Sequence, residues 1–102
     1  LTPAQLQKEA SEHFDKARDI WTRYQSIRKK SFPGLIEPTP VLGIIDLREA
    51  DLFVKMKFYK KAQFKLNQAQ KKLTEKVPFD RVRQPVFKRL IEQIKRKIIK
   101  GK

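Results

Sequence analysis

From Leu47 to Val77 the chain runs without a single Pro or Gly. Those two residues interrupt regular backbone most strongly, so their absence over about thirty positions points to one long helix, on the order of 45 Å at 1.5 Å per residue. Asp46, followed three residues later by Glu49, supplies a cap-like signal at its start, and the sequence predicts helix over 46–76. On a helical wheel Leu52, Met56, Tyr59, Ala62, Leu66, Ala69 and Leu73 gather on one side, whereas Phe53, Val54, Phe58 and Phe64 do not join them cleanly. Leu52, Val54, Met56 and Phe58 also alternate with their neighbours at the period of a strand, so a strand near 52–59 in a mixed α+β fold is the alternative. Helix is preferred because the following AQFKLNQAQKKLTEK is strongly helix-forming and nothing punctuates the junction.

The amino-terminal segment carries a denser start signal. Thr2 is placed as N-cap, Pro3 at the first helical position, Gln5 to complete a capping box and Leu1 to staple against Leu6. A helix over 3–31 is expected. Leu6, Ala10, His13, Ala17, Ile20, Tyr24 and Ile27 then follow at alternating spacings of 4 and 3, with Phe14 and Trp21 widening the stripe into a coiled-coil-like seam. Glu12 to Lys16 and Asp19 to Arg23 add opposite charges four residues apart, and Arg28, Lys29 and Lys30 suit the carboxy-terminal end of the helix dipole.

Pro33 and Gly34 end this helix and open a Pro-rich connector over 32–45. Its apolar residues Leu35, Ile36, Val41, Leu42, Ile44 and Ile45 are too many for a solvated linker, so it is expected to lie on another surface. Pro78 marks a turn over 77–84, and Pro85 begins a third helix over 85–100 with Val86 or Phe87, Leu90, Ile91, Ile94 and Ile98 as its apolar stripe and Gly101 as a C-terminal cap. The expected fold is therefore all-α and extended rather than compact. Two long helices are joined by an ordered connector, a shorter basic helix follows, and residues 1–102 form one helical unit without much core of its own.

Charge is distributed unevenly over this plan. Residues 1–50 hold 8 basic and 7 acidic side chains, whereas residues 51–102 hold 17 and 4, so nearly all of the formal +14 lies in the second half. An even excess would merely aid solubility; a concentrated one points that half at an anion. The candidate nucleic-acid contacts are Lys55, Lys57, Lys60, Lys61, Lys65, Lys71, Lys72, Lys76, Arg81, Arg83, Lys88, Arg89, Lys95, Arg96 and Lys97, interleaved with Phe53, Phe58 and Phe64. Arg81 and Arg83 present the planar fork that suits phosphate oxygens. The plainer alternative is a solvated lysine face. The near-neutral first helix is expected to meet protein neighbours through Leu6, Ala10, Phe14, Ala17, Ile20, Trp21, Tyr24 and Ile27.

Little else in the chain carries chemistry. Cys is absent, His13 is the only histidine, and there is no metal-ligand spacing, phosphate-cradling glycine loop or nucleophile elbow. No catalytic residue, metal, cofactor or small-molecule substrate is expected, and His13 is read as a packed or interface residue. Trp21 and Tyr24 have the spacing of seam residues rather than of base-stacking platforms. The longest nearly apolar stretch, Val41 to Ile45, is far short of the ~20 residues a spanning helix needs. The chain opens on Leu1 rather than Met, and Glu9, Glu12, Asp15 and Asp19 make its start unlike an organelle-targeting leader; a processed intracellular product, for instance of the mitochondrial matrix, is the expectation.

These features suggest a structural RNA-binding subunit of a large ribonucleoprotein, a ribosomal protein above all, gripping rRNA with its second half. A protein-only scaffold, such as an accessory subunit of a respiratory or ATP-synthase complex, is the alternative. A peripheral binder of anionic membrane, using the third helix, ranks behind both.

Overall fold

The computed structural model describes residues 2–34, 41–74 and 84–101. They form four helices, α1 (Pro3–Ser31), α2 (Val41–Lys55), α3 (Tyr59–Thr74) and α4 (Gln84–Gly101), and no strand occurs among them. The all-α expectation holds, and the strand alternative near 52–59 does not. The molecule measures 44 × 30 × 15 Å with a radius of gyration of 15.1 Å, against about 13 Å for a compact chain of 100 residues. It is extended, as its sequence suggests.

α1 begins where the capping signals place it. The Thr2 hydroxyl accepts from the Gln5 backbone N–H at 3.2 Å and the Gln5 side chain accepts from the Thr2 N–H at 2.9 Å, a complete capping box. Leu1 lies outside the described residues.

The long central helix does not exist as one rod. Residues 41–45, expected in the connector, are already helical, and the chain turns at 56–58 before α3 begins. The turn is a Schellman motif: the Phe58 N–H donates to the Phe53 carbonyl at 2.8 Å and the Lys57 N–H to the Val54 carbonyl at 3.0 Å. Lys57 takes the left-handed position at φ 64°, where glycine is the usual occupant. The motif is therefore invisible to a search for Pro and Gly. Residues 35–40, the body of the expected connector, and 75–83, including most of the expected turn, lie outside the described residues.

Because the chain reverses at Lys57, α2 and α3 become antiparallel neighbours and build a core with α4. Leu47, Ala50 and Phe53 of α2, Ala62, Leu66, Ala69 and Leu73 of α3, and Phe87, Ile91, Ile94 and Ile98 of α4 are all buried in one cluster, with Ile44, Val54, Phe58 and Tyr59 packed against it. The expectation of little core is thus corrected. Phe53, which fits no stripe on a continuous helix, becomes a central core residue once α2 ends at Lys55. Gly43 lies where α2 crosses α3: a Cβ there would sit 2.9 Å from Leu73 Cδ2. Gly101 is still helical, and a side chain on it would overlap the Tyr59 ring, so its role is close approach rather than capping.

α1 packs on α2 but contributes no fully buried residue. Its inner side uses Ala10, Phe14, Ala17 and Trp21, half-buried, together with Gln7, Ser11, Arg18 and Gln25. The other half of the expected seam faces solvent: Leu6, Tyr24 and His13 are exposed, and Ile20 and Ile27 are 65% and 64% exposed.

Candidate nucleic-acid interface

The charged side chains of α2 and α3 divide into an internal set and an external set, and helical periodicity decides which is which. Asp46 and Glu49 lie three residues apart on the inner side of α2, each only 1% exposed. They are not caps, because α2 starts at Val41. A buried carboxylate needs a hydrogen-bonded counter-ion, and several converge here. Arg18 of α1 donates from Nε and Nη2 to Asp46 Oδ1 at 3.0 and 2.6 Å and also from Nη2 to Glu49. From α3, Lys72 Nζ reaches Asp46 Oδ2 at 2.6 Å, and Lys65 Nζ lies 3.3 Å from Glu49 Oε1. Arg18 Nη1 meets Asp15 at 2.8 Å. No buried side-chain nitrogen or oxygen among the described residues is left without a partner.

This cluster is the tie between α1 and the α2–α3 hairpin. Partial burial pulls the Arg18 pKa down and is the largest single influence on it. The hydrogen bonds to Glu49 and Asp46 and the charges of those two carboxylates together outweigh it, so the pKa stands above the ordinary arginine value. The guanidinium therefore stays charged at any working pH. Two expected phosphate contacts, Lys65 and Lys72, pair with these carboxylates, the Lys65 side chain 23% exposed and that of Lys72 40%. Arg18 itself is absent from the sequence-derived set, since its partners are 28 and 31 positions away.

The outer crest of α3 is different. Opposite the buried row Ala62, Leu66, Ala69 and Leu73, the 3.6-residue repeat places Lys60, Phe64 and Lys71, with Lys61 beside them. All four are exposed, and none of the three lysines has a carboxylate partner among the described residues. Lys61 Nζ lies 5.9 Å from the centre of the Phe58 ring and Lys65 Nζ 5.9 Å from that of Phe64, the outer range of a cation–π contact. Phe53 leaves the candidate aromatic set because it is buried, Phe58 is half-buried, and Phe64 remains 58% exposed.

α4 repeats the arrangement. With Phe87, Ile91, Ile94 and Ile98 inward, Arg89, Arg96 and Lys100 line the opposite side and Lys88 lies at its flank, all exposed and without ion pairs among the described residues. Lys95 and Lys97 are loosely paired, at 3.6 Å to Glu92 and 3.5 Å to Asp51, and Lys55 sits 3.5 Å from Asp51. Such contacts at the surface contribute little and leave the cations open to exchange. Lys57 is exposed; Lys76, Arg81 and Arg83 lie outside the described residues.

On α1, Asp19 and Arg23 pair at 3.1 Å as expected, whereas Glu12 and Lys16 do not pair among the described residues. The Trp21 and Tyr24 rings are 5.5 Å apart and tilted, and the Arg28 guanidinium lies 5.3 Å from the Tyr24 ring centre. With the exposed Leu6, Ile20 and Ile27 they make a partly apolar strip along one side of the helix. No helix of the described residues is long and apolar enough to cross a membrane.

The molecule belongs by architecture to the small all-α proteins, a three-helix core with a fourth, longer helix tied to its side. Comparison with protein-family profiles, curated proteins and solved structures finds no match to this chain.

Proposed function

We propose that this protein is a structural RNA-binding subunit of a large ribonucleoprotein of the ribosomal kind, contacting RNA phosphates through α3 and α4 and protein neighbours through α1. One observation carries the proposal. Asp46 and Glu49, the buried carboxylates of the hairpin, are consumed within the protein, while Lys60, Lys61, Lys71, Lys88, Arg89, Arg96 and Lys100 remain exposed and without an ion pair among the described residues. Cations held at helical spacing on rigid elements, with no acid of their own, are what a polyanion backbone displaces its counter-ions to reach.

The test is binding of the purified chain to structured ribosomal-type RNA across a salt series. A log–log slope equivalent to several released counter-ions is expected, and it should shrink when Arg89, Arg96 and Lys100 are changed together to Gln. Affinity that stays level between low and ~0.2 M salt would remove the RNA assignment.

The exposed strip Leu6, Ile20, Tyr24 and Ile27 favours the second reading, a protein-only scaffold in another large assembly. The two readings part on one measurement: a nuclease-treated native assembly that keeps this chain supports the scaffold. The membrane reading gains no support, because Ile91, Ile94 and Ile98, the stripe it needs, are buried in the core.

A further inference from the structure

Between the amino-terminal half of α1 and the start of α3 lies a groove of about 300 Å³, lined by Gln7 and Ser11 on one side and by Lys60, Lys61, Phe64 and Lys65 on the other, with Phe53 at its floor. Its volume is at the lower end of the range for small-ligand pockets. Phe64 is the anomaly in it. The residue is 58% exposed on the crest of a helix otherwise covered by lysine and amide side chains, it adds nothing to the core, and a lysine in its place would serve solubility and helix propensity better. Lys65, fixed from below by Glu49 at 3.3 Å, places its ammonium 5.9 Å from the ring centre, and most of the ring is left to solvent.

Resting on the RNA reading above, we propose that this groove takes one unpaired nucleotide of a single-stranded RNA segment. The base stacks on Phe64, its polar edge meets Gln7 and Ser11, and the flanking phosphates lie against Lys60 and Lys61. A duplex offers no free base face, whereas an unstacked base gains from an aromatic platform whatever its identity. The two lysines are free to serve the phosphates because the internal carboxylates are already neutralised by Arg18, Lys65 and Lys72. The groove thus distinguishes strand state, and the open faces of α3 and α4 supply sequence-blind attraction.

The test places a reporter at the platform: Phe64→Trp in a Trp21→Phe background, titrated with a short oligoadenylate RNA, with the same length of fully paired RNA, and with tripolyphosphate. Saturable quenching of the indole by the single strand alone is expected. In the otherwise unaltered full chain, Phe64→Ala should weaken single-strand binding roughly tenfold while leaving duplex binding unchanged, and Phe64→Tyr should restore it. Circular dichroism should show both variants folded, since the side chain is outside the core. Emission that ignores a saturating single strand, or an Ala variant that binds it like the parent, overturns the groove. If RNA binding nevertheless remains salt-dependent, the subunit assignment stands without it. If the parent binds neither RNA, both fall.

Discussion

α1 and the α2–α4 unit are both helical, yet they are held in place by different physics. The α2–α4 unit closes around eleven buried apolar side chains. α1 buries none fully and is attached through a half-buried aromatic side and one arginine shared between two buried carboxylates. Apolar packing is non-directional and tolerates sliding, whereas an arginine hydrogen-bonded to two acids fixes one register. The difference teaches that a long amphipathic helix need not spend its apolar face on its own protein. A single polar tie positions α1 and leaves Ile20 and Ile27 facing outward.

The comparison is broken most directly in the core. Leu66 is fully buried, and Leu66→Ala should cost about 2–5 kcal/mol, enough to unfold the α2–α4 unit or bring it close to unfolding in urea titration. Next comes the tie. Arg18→Met leaves Asp46 and Glu49 buried with Lys65 and Lys72 as their remaining counter-ions, and about 2–4 kcal/mol should be lost. Hydrogen exchange would locate that loss: α1 amides should lose protection while those of α3 and α4 keep it. Equal loss across all four helices would mean that α1 is part of the core after all. Smaller and opposite in sign, Lys57→Gly should stabilise the protein by about 0.5–1 kcal/mol by relieving the left-handed backbone, read as a raised urea midpoint with unchanged slope. Last, Ile20→Ser should move stability by no more than about 0.5 kcal/mol, and a larger drop would show that the outward face is covered within the chain.

Much of this was legible in the sequence where the signal is local. The Thr2–Gln5 capping box, the extent of α1 and most of the inward row of α4 follow from spacing alone, although Leu90, expected in that row, is 39% exposed, and of the pair Val86 or Phe87 it is Phe87 that turns inward. The break between α2 and α3 was not legible, because a Schellman turn with Lys57 at the glycine position carries no compositional mark; the remaining trace is Phe53 and Phe58, which fit no continuous stripe and meet across the motif. Asp46 and Glu49 looked like a cap because their spacing is that of one, and only the tertiary arrangement shows them as the inner face of a helix already begun. The ionic cluster was equally hidden. The partners that join its helices lie 16 to 31 positions apart, and nothing in a lysine's neighbours says whether it will face a carboxylate or water. Helical phase on α3 does say so once the buried row is known: Lys65 and Lys72 share one flank, Lys60 and Lys71 the crest.

The turn at Lys57 also acts as an index for everything downstream. One residue inserted between Met56 and Tyr59 would break the register of the two hydrogen bonds that close the turn, Phe58 N–H to the Phe53 carbonyl and Lys57 N–H to the Val54 carbonyl, and with it the seating of Leu66 against α2. Changes of length at this point are therefore far less tolerable than changes of side chain, and natural variation among related chains should show substitutions there but no gaps.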